Sequence, residues 1–133
     1  MRYLLDTHTW LWMVTAPARL GTAREVIEDR TNDLVLSAVS SWEIAIKAGS
    51  GRLPLPVAVE RFVPDRMQAT GVIGLSIEHA HTVQVANLPV HHKDPFDRML
   101  VAQAQVEDLA ILTADPVFDA YECEVVRVGT PTP

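Results

Sequence analysis

The chain has 133 residues, 48% of them hydrophobic and 21% charged, which suits one folded domain over 1–133 with a packed core and excludes a disordered or low-complexity segment. No apolar run approaches the roughly 18 residues that a membrane span needs, residues 3–5 are too short for a signal-peptide core, and a lone cysteine, Cys123, excludes an internal disulfide; the expected setting is cytoplasmic, away from membranes. The net charge of −6 argues against a broad basic face of the kind that grips nucleic acid, an objection that weakens if several acids are gathered around a cation and neutralised there.

Residues 3–5 form a short apolar run that ends abruptly in Asp6, the pattern of a buried strand emerging at a sheet edge. Helical spacing follows in Leu11, Trp12 and Val14 until Pro17, and a second helix is predicted over 22–29. Residues 34–36 are the second strand. From Ala38 the apolar positions keep a helical period up to Gly49-Ser50-Gly51, a stop signal, and Pro54 and Pro56 mark a loop. Residues 57–69 look helical, with Pro64 expected to end or kink the helix. A third strand is predicted over 72–75, then a helix opening at Ser76 and fading at Asn87-Leu88-Pro89. Asp94-Pro95 starts the best-formed helix, running to about Glu107; residues 110–112 are the fourth strand, Asp115-Pro116 opens a short helix, and residues 125–128 are a fifth strand. Strands alternating with helices in this rhythm predict an α/β fold with a mostly parallel sheet covered on both faces.

Ligands of such sheets sit beyond the carboxyl ends of the strands, and Asp6 and Asp115 each end a strand there. Each also opens a helix, so capping is the plainer reading of either acid taken singly. Asp94 is the expected N-cap of the long helix. Asp97 is harder to explain as structure, because Leu100, Val101 and Ala104 share its face, and a carboxylate along a buried stripe is costly unless paired or metal-bound. Glu43 has an ordinary reading too: Ser40 would form a capping box with it and Lys47 a helical salt bridge. The set is what carries weight. Four carboxylates within reach of one crevice and without a matching set of Lys or Arg repel one another, and a hard cation, magnesium or manganese, is their natural partner. Such an ion stabilises charge on a phosphate during in-line displacement.

The segments Leu4-Leu5-Asp6-Thr7-His8-Thr9-Trp10-Leu11-Trp12, Ser41-Trp42-Glu43-Ile44-Ala45-Ile46-Lys47, His91-His92-Lys93-Asp94-Pro95-Phe96-Asp97-Arg98 with Ala102-Gln103-Ala104, and Leu112-Thr113-Ala114-Asp115 resemble the PIN-domain toxins called VapC. The resemblance covers nearly the whole chain. It implies a three-layer α/β/α sandwich and a metal-dependent endoribonuclease, the toxin of a type II toxin–antitoxin pair, with a homodimeric habit and a VapB-type antitoxin that blocks the site. Position by position it makes Asp6, Glu43, Asp97 and Asp115 the catalytic and metal-site acids, with Mg²⁺ or Mn²⁺ as cofactor, and Thr7 and Thr113 supporting hydroxyls.

Among other residues, His92, Lys93 and Arg98 are candidates for contacts to RNA phosphates, as are Lys47 and Arg52, although solvated surface is the commoner fate of such side chains. Asp94 and Asp119 are candidates for an outer layer around the metal. Trp10, Trp12 and Trp42 fit core packing or a dimer face better than base stacking. Two other functions fit parts of the pattern: a phosphatase with Asp6 as nucleophile, which lacks a second acid two positions on, and a non-catalytic module whose acids only cap helices.

Overall fold

The structure, a computed structural model, describes residues 1–129. Five parallel strands, β1 (Arg2–Leu5), β2 (Asp33–Ser37), β3 (Ile73–Leu75), β4 (Ala110–Thr113) and β5 (Val125–Arg127), form one sheet in the order β3-β2-β1-β4-β5. β1 lies in the middle because its apolar run needs cover on both faces and both edges. Its register pairs Leu4 with Val35 on one side and Ile111 on the other.

The alternation of strand side chains divides the interior into two layers. Tyr3, Leu5, Leu34, Leu36, Ala110 and Leu112 face one way, against Trp10 and Leu11 of α1 (Thr7–Thr15), Ala23 of α2 (Ala23–Glu28) and Phe62 of α4 (Val59–Thr70). Leu4, Val35 and Ile111 face the other way, against Val39 of α3 (Ala38–Gly49) and Leu100, Val101 and Ala104 of α6 (Pro95–Glu107), with α5 (His79–Gln84) packed on α6. The result is the three-layer α/β/α sandwich that the sequence predicts. No helix among the described residues is long and apolar enough to cross a membrane.

Three local expectations are corrected. Residues 59–70 stay helical through Pro64; Glu60 and Pro64 are both exposed, so the carbonyl that proline leaves unbonded is open to water and the helix need not break there. Gly71 then ends it in the left-handed conformation, at φ 68°. The helix predicted from Ser76 begins only at His79 and gives way to a 3-10 turn over Val85–Asn87. Glu43 is not in a capping box: the cap of α3 is Ser37, whose hydroxyl accepts from the Val39 N–H at 3.0 Å, and Ser40 lies inside the helix.

Candidate active site

The order of the strands reverses between β1 and β4: the chain moves outward from β1 through β2 to β3, then returns to the other side of β1. At that switch point the connecting segments leave in opposite directions, and ligands of sheets of this kind bind there. Asp6 follows β1 and Asp115 follows Thr113 of β4 across it. The Asp6 N–H still donates to the Leu112 carbonyl at 3.0 Å, which fixes the end of β1 against β4.

Asp6 sits at the N-cap position of α1, yet its side chain caps nothing. Instead it is buried, 6% exposed, and accepts a 2.8 Å hydrogen bond from the Thr113 hydroxyl. Burial raises its carboxyl above the usual carboxylate range; Thr113, His8 and the Thr7 backbone hold the rise back, and Glu43 adds to it. The Thr113 oxygen also accepts from the Asp115 N–H at 3.0 Å, so one buried hydroxyl connects both strand-end acids. Asp115 itself is exposed and does cap its 3-10 turn, Pro116–Ala120, by accepting from the Val117 N–H at 3.0 Å.

Asp94 caps α6 as expected, one carboxylate oxygen accepting from the N–H groups of Phe96 and Asp97 at 2.9 and 3.2 Å. Asp97, in the first turn of α6, has a half-buried carboxyl whose pKa is pushed up to about 7. Burial is the largest cause, followed by the negative charges of Asp94, Asp6, Asp115 and Glu43. Asp6, Asp115 and Glu43 thus lie near enough for their charges to act on Asp97. Glu43 is buried, 6% exposed, and ion-paired to Lys47 at 2.5 Å. Among the described residues no three His, Cys, Asp or Glu side chains converge closely enough to enclose an ion unaided.

The remaining candidates divide. The Thr7 hydroxyl donates to the Ser40 hydroxyl at 2.9 Å, joining α1 to α3, while its backbone N–H is the group that meets Asp6. Lys93 is exposed. Arg98 is turned away from the crevice: its guanidinium donates to the carbonyls of Pro89 (2.9 Å) and Val85 (3.4 Å) and to the Tyr121 hydroxyl (3.3 Å), which leaves it a structural tie in place of the expected phosphate contact. His92 has Nδ1 2.7 Å from the Tyr121 hydroxyl and Nε2 3.4 Å from Asp97 Oδ2. Asp119 is exposed and pairs with Arg127. Trp10 is fully buried and donates to the Thr70 hydroxyl at 3.2 Å; Trp42, 53% exposed, meets Phe96 edge-on at 4.9 Å and is not core. Sequence reasoning missed Tyr121 altogether. It lies outside every motif, and only folding brings it beneath His92.

A doubly wound parallel sheet with a crowd of carboxylates at its switch point defines the class, and the chain belongs to the PIN-domain family, whose pattern matches residues 3–122. It is similar to ribonuclease VapC16 of Mycobacterium tuberculosis, 48% identical over 63 residues, which are 47% of this chain and 45% of that protein. It is also similar to ribonuclease VapC22 of the same organism, 28% identical over 112 residues, 84% of this chain and 85% of that one. The match thus spans under half the length of the first relative and most of the second. Among solved structures the fold is shared with VapBC of Salmonella typhimurium bound to DNA (TM-score 0.72, 14% identity, 96% of this chain and 98% of that chain). It is shared as well with VapBC2 of Rickettsia felis bound to a promoter fragment (0.70, 10%, 96% and 99%) and with FitAcB of Neisseria gonorrhoeae (0.63, 19%, 96% and 97%).

Proposed function

We propose that this chain, as a single PIN domain, is a magnesium- or manganese-dependent endoribonuclease, the toxin of a type II toxin–antitoxin pair, with Asp6, Glu43, Asp97 and Asp115 holding the cation. The reading rests on Asp97, half-buried in the first turn of α6, where the charges of Asp94, Asp6, Asp115 and Glu43 add to burial in pushing its carboxyl up to about 7. Among the described residues Lys47 is the one Lys or Arg paired with these acids, and it is held by Glu43. An all-oxygen donor set with an excess of negative charge fits a hard divalent ion, which needs only one or two carboxylates and keeps several waters. When bound, such a cation neutralises the crowded carboxylates and stabilises the charge that develops on a phosphate.

The protein's own residues supply the rest. Thr113 fixes the rotation of Asp6 and the approach of Asp115 through one shared oxygen. Lys47 fixes Glu43 from the next turn of α3. With a carboxyl held near pKa 7, Asp97 carries a proton for much of the time at neutral pH until an opposing charge displaces it. Lys93, exposed one residue before the cap of α6, is the candidate for contact with RNA phosphate.

The names of the two mycobacterial relatives support ribonuclease activity, and the toxin–antitoxin complexes among the fold neighbours support a VapB-type partner. The partner would block the site by placing an arginine among the acids. Trp42 and Ile46, exposed one turn apart on α3, offer an apolar row for a homodimer.

Cleavage of RNA by the purified chain with magnesium or manganese, with EDTA, and with Asp97→Asn tests the activity. EDTA should abolish cleavage, and Asp97→Asn should lower the rate about a hundredfold or more with the fold intact. Cleavage at the parental rate by the variant, or undiminished by EDTA, would overturn the reading.

A further inference from the structure

The segment over 91–93 reads as a solvated polar loop, but its middle residue is wired into the core. His92 has a side chain only 18% exposed, and its Nδ1 lies 2.7 Å from the Tyr121 hydroxyl. Tyr121 is itself buried. On its far side the Tyr121 oxygen receives an N–H from Arg98 at 3.3 Å, and Arg98 is anchored on the carbonyls of Pro89 and Val85.

The direction of this chain follows from its last member. A guanidinium only donates, so the Tyr121 oxygen accepts from Arg98, and its own proton is free to be donated to His92 Nδ1. Among the described residues the tyrosine is offered no other acceptor. With Nδ1 accepting, the neutral ring carries its proton on Nε2. That nitrogen is sealed from water and makes no hydrogen bond, yet it stands 3.4 Å from Asp97 Oδ2. A buried N–H without a partner is unfavourable, and a small movement of either side chain closes the bond. Hydrogen bonds of this kind are often long until a site is loaded.

We propose that His92 is a positioning residue, held by Tyr121 and Arg98, whose Nε2–H sets the orientation of the Asp97 carboxylate toward the cation. This deepens the reading above and rests on Asp97 being a ligand. It also reassigns His92: the ring nitrogen that would meet a phosphate is turned into the protein.

The test is binding of Mn²⁺ alone, followed by electron paramagnetic resonance of the free ion, with melting in EDTA as a check on folding. His92→Ala should weaken binding about tenfold or more. His92→Gln restores an N–H at the place of Nε2 and should recover most of that loss, while Tyr121→Phe, which never touches the crevice, should show a smaller one. In metal-free protein the ¹⁵N spectrum of the imidazole should place the His92 proton on Nε2. Parental affinity in His92→Ala, or a proton on Nδ1, would overturn this inference while leaving the cation site standing. A parent that binds no manganese would overturn the cation site and this inference together.

Discussion

One helix carries a histidine–carboxylate pair at each end, and the two pairs differ in what surrounds them. At the end of α6, His81 of α5 is completely buried; its Nδ1 accepts from the Glu78 N–H at 2.9 Å and its Nε2 meets Glu107 at 3.1 Å, with Gln103 alongside. At the start of α6, His92 approaches Asp97 without closing the bond, and Asp97 faces four other acids. The first arrangement answers nearly every donor with an acceptor and gives one carboxylate to one histidine, which is how a buried polar group ties two helices together. The second concentrates negative charge without answering it. Burial and hydrogen bonding are common to both, so neither distinguishes a site from a structural network; the unbalanced charge does.

The largest effect that separates the ends of α6 is on stability at the His81 end. His81→Ala removes the acceptor of the Glu78 N–H and opens a cavity between α5 and α6, and should cost roughly 2–4 kcal/mol in denaturant melts. Its gain in stability from manganese should be that of the parent. A His81→Ala protein as stable as the parent would remove the structural half of the comparison.

Manganese gives the complementary result. At about a hundredfold excess over its dissociation constant, an ion that binds only the folded state adds roughly 2.7 kcal/mol. The parent should show this in thermal melts and Asp97→Asn should show much less. Equal shifts in the two proteins would mean that the crowd of acids around Asp97 is not where the ion binds.

The smallest effect is electrostatic and belongs to the metal-free protein. The folded Asp97 carboxyl titrates at about 7, above its ordinary 3.8. Between those values the folded state keeps a proton that the unfolded chain has lost, so this group favours folding at low pH and that contribution is lost as pH rises through about 7. In EDTA, melting temperature should therefore fall from pH 5 to pH 8 more steeply in the parent than in Asp97→Asn, and near pH 8 the variant should melt no lower than the parent. A variant that is less stable by the same amount at every pH would show Asp97 to be only a helix-start acid.

Sequence alone determined the strands, because runs such as Leu4-Leu5 and Ile111-Leu112 are too apolar to lie anywhere except inside a sheet covered on both faces. It also determined which acids to suspect: Asp97 stands in a helix whose neighbouring positions are apolar, and Asp6 and Asp115 end strands. Local spacing could not determine which acids cap and which do not. Asp94 and Asp115 cap, while Asp6, with the same local pattern, turns to Thr113, because the hydroxyl that receives it comes from a strand 107 positions away. Pro64 and Ser40 were misleading for a related reason, since the exposure of a freed carbonyl and the true start of α3 depend on what packs around them. His92 and Arg98 read as loop and surface charge until β4 and its following turn deliver Tyr121 to them. Periodicity reports which face of an element is buried; the partner of a buried polar atom is set by the crossing of distant elements, and only the tertiary structure decides that.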